Sequence, residues 1–359
     1  MKPRLLLAAL VATAQLAVLG FMTGQRESVL HYGRSILLRT APVDPNDPMR
    51  GEYARFNYEL SSVPRALWRD GLPVRFPPNS YDYRNGRDLR VYAALRVDDA
   101  GIAELVSLSD RPPAEGLYLQ GRVNNLNGAN LSIRYGIEAL FLEQGKSQKL
   151  EDARRKERPG APMDAEVAVS ASGLAVIKGY QWEPLGIVAT FERTPPSPPP
   201  TPAAGSRPPP RPQPVITAIK LELKNYGTDD VAIVDLPDGG SFRLVAANTG
   251  QEIHYRWVGE SRTDGPKPEA VHVLVLKPGE SHSTRLDLTR PEWFVVDTRL
   301  APAKQKPQAL RDITDMWSAS FRVEYSPPSK ALVAPLPHAE LIRHARLLSR
   351  MFNPGTNVD

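Results

Sequence analysis

Gly51-Glu52-Tyr53-Ala54-Arg55-Phe56-Asn57-Tyr58 is the stretch from which the fold is read. Residues 52–60 alternate, with Ala54, Phe56 and Tyr58 projecting to one side and Tyr53, Arg55 and Asn57 to the other. A period of two with aromatic side chains on both sides predicts a β-strand in a packed sheet. Just upstream, Val43-Asp44-Pro45-Asn46-Asp47-Pro48 supplies the acids and prolines of consecutive turns. Asp44, Asp47 and Glu52 lack the ligand spacing of a calcium loop, so the turn reading is preferred.

Further strands are predicted downstream. A hairpin runs over 89–97 and 102–108, turning at Asp98-Asp99-Ala100-Gly101. Residues 117–123 and the segment from Leu131 onward follow, and a last hairpin, 166–169 and 174–178, turns at Ser170-Ala171-Ser172-Gly173. Within the Leu131 segment lies Arg134-Tyr135-Gly136-Ile137-Glu138. The octet and this run, in this order, resemble the signatures of the GDYXXLXY protein family, bacterial membrane-anchored proteins with no established biochemical activity. Glu52 stands where the family usually has Asp, and Phe56 where it has Leu; an acid and a large apolar side chain are kept. Asp110-Arg111-Pro112 and the Leu150-Glu151 start of a short charged helix are also similar. The resemblance covers about residues 28–193. It implies a β-rich domain and, because members are commonly encoded beside multi-pass membrane proteins, a multi-pass inner-membrane partner.

The N-terminus supports a membrane setting independently. Lys2 and Arg4 precede a mainly apolar run over residues 5–22. Such a run spans about 27 Å as a helix, just enough for a bilayer core. Basic residues ahead of it hold the N-terminus in the cytoplasm. The expectation is a single-pass inner-membrane anchor in residues 1–27, with the bulk of the chain periplasmic. The alternative is a cleaved signal, for which Ala12-Thr13-Ala14 has the small-x-small form but lies inside the apolar run.

Composition narrows the field. The chain of 359 residues contains 36 prolines, about twice the average share of roughly 5%. It therefore favours turns, edges and extended segments. A net charge of +5 is spread among interleaved acids rather than clustered with aromatics, which argues against a nucleic-acid surface. With no cysteine, disulfides, thiolate metal sites and cysteine nucleophiles are excluded.

Residues 194–214 contain eleven prolines. They are expected to form a polyproline II spacer reaching up to roughly 65 Å. Beyond it, Val215, Thr217, Ile219, Leu221 and Leu223 alternate with Lys220 and Glu222. Strands are also predicted at 231–234, 241–246, 253–257, 271–276, 282–288 and 319–325. Seven short strands over 215–330 match the pattern of an immunoglobulin-like sandwich, a fold-level comparison that confers no function. The last part, 331–359, is expected to hold an amphipathic helix over 338–352. Arg343, Arg346 and Arg350 would share one side of it, able to face an anionic membrane but more ordinarily left in water. The fold class is thus mainly β, with a transmembrane helix, a β-rich domain, a linker, a sandwich and a short C-terminal helix.

Few residues suggest chemistry. The six histidines (His31, His254, His272, His282, His338 and His344) form no helix-face ligand pair. His272 and His282, on successive predicted strands, are a weak hint of a metal site; a surface pair is the plainer reading. No G-x-S-x-G elbow or glycine-rich phosphate loop occurs. Positions 42–50 contain no Ser, which argues against a serine–lysine peptidase. If the two motif strands are neighbours, Glu52, Arg55, Arg134 and Glu138 are the charges expected to converge. Gly51, Tyr53, Phe56, Tyr58, Tyr135 and Gly136 complete the motif set. These residues are read as a buried ion-pair network with core aromatics, or as a recognition surface for a partner. The expected function is a non-catalytic scaffold or accessory subunit of a membrane complex, with no cofactor and no metal. The alternatives are an exported hydrolase using Glu52 and Glu138 as acid and base, and a small-molecule sensor with an apolar pocket.

Overall fold

In the computed structural model, residues 3–41, 53–77, 88–98, 100–127, 130–141, 146–194, 215–247, 254–261, 267–313 and 319–354 are described. The fold is mainly β, with several antiparallel sheets. The chain divides into two compact units, Met1–Ser147 with Met163–Gln181, and Gln148–Pro162 with Trp182–Asp359.

The first unit opens with helix α1 (Pro3–Tyr32). The side chains of residues 10–28 are all exposed, Leu10, Leu16 and Phe21 at 68%, 69% and 72%. Among the described residues, no helix is long and apolar enough to cross a membrane. The side chains of residues 5–9, where the apolar run begins, lie outside the described ones. The apolar run expected over residues 5–22 is helical, lying within α1.

Next come β1 (Arg34–Ala41), β2 (Tyr53–Arg55), β3 (Asn57–Tyr58), β4 (Ser62–Pro64), β5 (Arg90–Val97), β6 (Ala103–Ser109), β7 (Leu117–Asn127), β8 (Asn130–Arg134), β9 (Ala139–Phe141), β10 (Met163–Val169) and β11 (Ala175–Trp182). They form a four-stranded sheet in the order β11-β10-β1-β3, a five-stranded sheet in the order β4-β8-β7-β5-β6, and the pair β2-β9. Both expected hairpins are present. The first turns on Asp98, whose Oδ1 accepts from the amides of Ala100 and Ile102 at 2.9 and 2.8 Å. Alternation packs Leu38, Val63, Val91, Leu108, Leu119, Leu131 and Val167 out of water. Each such aliphatic side chain stabilises the fold by roughly 1.5–3 kcal/mol.

The second unit holds β12 (Leu185–Thr194), β13 (Val215–Asn225), β14 (Val231–Val234), β15 (Phe242–Ala246), β16 (Tyr255–Trp257), β17 (Val273–Leu276), β18 (Ser281–Asp287), β19 (Val295–Asp297), β20 (Phe321–Tyr325) and β21 (Leu347–Leu348). The sheets are β12-β13-β18, β15-β20-β21, β14-β17 and β16-β19. Every strand expected after the linker finds a counterpart. The inward phase of β13 changes, however: Ile219, Leu221 and Leu223 are buried as expected, but before them Ile216 and Ala218 are buried instead of Val215 and Thr217. The register shifts beside Glu192 and Arg193, where the pairing moves from Ala218 to Ile216. An extra residue in one strand reverses the side-chain alternation, as a β-bulge does.

Two expectations are corrected. Thr194 and Val215 are paired residues, so the ends of the proline-rich segment meet. Residues 195–214 lie outside the described residues, and the strands that flank them pair with each other in the second unit. Leu185–Thr194, expected to precede the linker in the first domain, accordingly belongs to the second unit.

The C-terminal helix is also absent. His338 has a left-handed φ of 57°, a 3₁₀ turn covers Ala339–Leu341, and Leu347–Leu348 is a strand. Burial alternates there, with Ala345, Leu347 and Ser349 inside. Backbone demand explains the switch. Leu347 and Leu348 pair with Tyr325 and Glu324. Ser349 donates its amide to Val323 at 2.8 Å and accepts the Val323 amide on its hydroxyl at 2.9 Å. Edge groups of β20 that would otherwise lack partners are thereby satisfied.

Candidate functional site

The two motifs are spatial neighbours. Tyr53, Ala54 and Arg55 of β2 pair with Phe141, Leu140 and Ala139 of β9. The next residue, Phe56, donates its amide to the Glu138 carbonyl at 2.8 Å. Tyr58, 1% exposed, donates its hydroxyl to the Ile137 carbonyl at 2.5 Å. Tyr135 reciprocates by donating to the Leu60 carbonyl at 2.9 Å. The Phe56 ring lies 6.5 Å from the rings of both Tyr58 and Tyr180, within the range of favourable tilted aromatic pairs. Each motif thus supplies a phenol to the other's backbone.

Glu138 organises the turn between these contacts. Its carboxylate accepts from the amides of Tyr135 and Gly136 at 2.5 and 3.0 Å. Gly136 has φ of 79°, a left-handed conformation that costs glycine little. Both carboxylate oxygens are engaged by their own loop. Burial pushes the Tyr58 and Tyr135 phenols far above their usual range, and the Glu138 charge adds to the effect. Both are neutral donors at physiological pH, unsuited to act as bases.

The expected meeting of four charges is not assembled by the described residues. Arg134 faces Asp88 at 3.6 Å, both more than half exposed, while Glu138 faces backbone amides. Gly51 and Glu52 lie outside the described residues, as do the side chains of Tyr53 and Arg55. The ion pair that is buried in this unit was not singled out from the sequence. Arg39 Nε donates to Asp164 at 2.5 Å, and Thr40 donates to the Met163 carbonyl at 2.7 Å. Arg39 and Asp164 are directly paired across β1 and β10, and an inward Arg in the run Leu37-Leu38-Arg39-Thr40 was the available signal.

In the second unit, the three C-terminal arginines go to separate partners. Arg343 meets Glu183 at 2.8 and 3.1 Å, Arg346 lies 3.9 Å from Glu324, and Arg350 stands 4.8 Å above the Phe191 ring. They form no common basic face.

His272 and His282 do not lie on paired strands. β17 pairs with β14 and β18 with β13, so their strands share no ladder. His272 Nδ1 accepts from the Glu269 amide at 3.0 Å; His282 Nε2 lies 2.7 Å from Asp235 Oδ2. Among the described residues, no group of three or more His, Asp or Glu side chains could hold a metal ion.

Comparison with known proteins bears mainly on the first unit. The family model described as GDYXXLXY protein matches residues 15–179, which contain both motifs. No curated protein and no solved structure is found to match the chain, and the second unit is not identified by any comparison.

Proposed function

We propose, from the family match of the first unit, that this is a non-catalytic, membrane-anchored protein of the bacterial cell envelope. It serves as a scaffold or accessory subunit of a multi-pass inner-membrane protein. The observation that carries the reading is helix α1, whose apolar side chains from Leu10 to Met22 cover nothing in their own unit. Apolar surface of this extent is stable only when lipid or another protein removes it from water. Lys2 and Arg4 favour an N-terminus in the cytoplasm. The motif residues support an architectural role, since their hydrogen bonds are spent on holding one another. The immunoglobulin-like comparison remains our reading of the second unit's antiparallel strands. A hydrolase using Glu52 and Glu138 has less support, because the Glu138 carboxylate is engaged by its own turn.

The absence of cysteine makes the topology directly testable. A single Ser172→Cys variant of the full chain should fractionate with membranes and react with a membrane-impermeant maleimide in intact spheroplasts. Labelling only after lysis, or recovery in the soluble cytosolic fraction, would overturn the reading. Pull-down from mild detergent should recover a multi-pass protein; a lone monomer would count against the accessory role.

A further inference from the structure

Acids and bases are interleaved along the chain, but the five-stranded sheet of the first unit brings three arginines into one row. Arg90 of β5 is directly opposite Arg122 of β7, and Arg122 is directly opposite Arg134 of β8. Residues opposite each other on antiparallel strands project to the same face, with Cβ atoms about 5 Å apart. All three arginines are exposed, while the adjoining Val91, Val123 and Ile133 are buried. The row therefore lies on the outer face of the sheet, away from the core.

Like charges placed opposite one another weaken a sheet. The ordinary solution is present on the same strand, where Arg96 of β5 is opposite Glu104 of β6 and donates to it at 3.1 Å. In the row, by contrast, the nearby carboxylate goes to one guanidinium. Asp88 stands 3.6 Å from Arg134, and Arg122 donates to the Asp88 backbone carbonyl instead, at 3.0 Å. Arg90 has no carboxylate partner among the described residues. Two neighbouring guanidiniums, those of Arg90 and Arg122, are thus left without an anion of their own.

We infer that Arg90 and Arg122, with Arg134 beside them, bind a phosphate monoester. Such a group carries close to two negative charges at neutral pH and three strong acceptor oxygens, enough to engage two guanidinium forks together. A carboxylate has one charge and a single edge, which one fork fills. A free phosphorylated small molecule and a phosphorylated lipid headgroup offer this same chemistry. The row is in place whether or not α1 is held in lipid.

Calorimetric titration of the full chain in nonionic detergent micelles distinguishes the two sources, with sn-glycerol 3-phosphate in one arm and micelle-borne phosphatidic acid in the other. Saturable binding in at least one arm is expected, weakened about tenfold or more in both Arg90→Gln and Arg122→Gln. Arg96→Gln, on the same strand but already paired, should bind like the parent chain. Affinity for glycerol 3-phosphate should fall from about pH 7.5 to about pH 5, as the ester passes its second pKa near 6 and loses a charge. Circular dichroism identifies folded variants, and either row variant alone suffices if the other fails to fold. Tighter binding of glycerol 3-phosphate assigns a soluble ligand, and tighter binding of phosphatidic acid a lipid headgroup. Four results would overturn the inference: no saturation of the parent chain by either probe up to about 10 mM, undiminished affinity in a folded row variant, equal binding of acetate, or tighter binding of oligothymidylate than of either monoester.

Discussion

The Tyr58 hydroxyl donates to the Ile137 carbonyl, 79 positions further along the chain, at 2.5 Å. With Tyr135 donating back to Leu60, the two motifs form a reciprocal clasp. Removing either hydroxyl leaves a buried carbonyl without its donor. Tyr58→Phe and Tyr135→Phe should each lower stability by about 1–2 kcal/mol in urea unfolding. The pair should be non-additive, because both bonds hold the same two segments. Independent, additive losses would argue against a shared clasp.

High pH should weaken the same clasp. Burial raises the phenol pKa of Tyr58, Tyr135 and Tyr325 above the ordinary value near 10. Above pH ~10 the unfolded chain therefore loses these protons while the folded chain keeps them. Their contribution is complete below pH ~10 and falls as pH rises toward the folded values. Urea midpoints measured from pH 8 to 11 should drop at the alkaline end, less so in Tyr58→Phe. Absorbance near 295 nm should show these tyrosines ionising only as the protein unfolds.

At the buried pair, Arg39→Ala or Asp164→Ala leaves a charge stranded between β1 and β10. Each single change should cost about 3–5 kcal/mol. Arg39→Met combined with Asp164→Leu should recover most of that loss, since an apolar pair of similar volume needs no desolvated charge. Chemical denaturation of the three variants decides it; a double variant as damaged as the singles would show a further role for the ions.

Gly160 has φ of 76°, and a Cβ there would stand 2.0 Å from the Ile187 carbonyl oxygen. The amide of Ile187 donates to the Gly160 carbonyl at 3.1 Å, so neither backbone can retreat freely. Gly160→Ala should destabilise the second unit by roughly 3 kcal/mol or more. Gly279→Ala, with φ of 82° and open space around it, should cost only about 1 kcal/mol. Thermal unfolding of the two variants gives the comparison.

The C-terminal arginines should matter to stability rather than to lipid. Arg343→Ala uncovers the buried Glu183 carboxylate; as Arg343 is itself 42% exposed, the expected loss is about 1–2 kcal/mol. Arg350→Ala should cost about 0.5–1 kcal/mol through its ring contact. Co-sedimentation of the full chain with anionic vesicles should be unchanged in both. A loss of vesicle binding at unchanged stability would restore a membrane role for them.

Much of the local structure was legible because a strand declares itself by alternation. The hairpin of β5 and β6, and the run of short strands after Val231, could be placed from side-chain period and turn residues alone. That the two motif strands are neighbours entered the sequence reading only as a condition, and the structure supplied it. How they meet was not legible either: Glu138 is spent on two amides of its own turn, a choice set by the left-handed Gly136 and invisible in spacing.

The same limit explains the two misplaced segments. Ile342, Ala345, Leu348 and Phe352 satisfy a helical period, while Ala345, Leu347 and Ser349 satisfy a strand's; the vacant edge of β20 decided between them. Proline content suggested a polyproline II spacer over residues 194–214, yet composition carries no record of which strands flank it as partners. The amino-acid order by itself determined the β-rich character, the apolar N-terminal helix and the presence of the two motifs, because period and backbone restriction are local properties. Only the tertiary structure decided that Thr194 and Val215 stand side by side, that Arg39 and Asp164 form a buried ion pair, and that Asp235 and Glu292 line one cavity. Those outcomes depend on distant groups competing for hydrogen bonds and burial, and that competition is resolved only when the whole chain has packed.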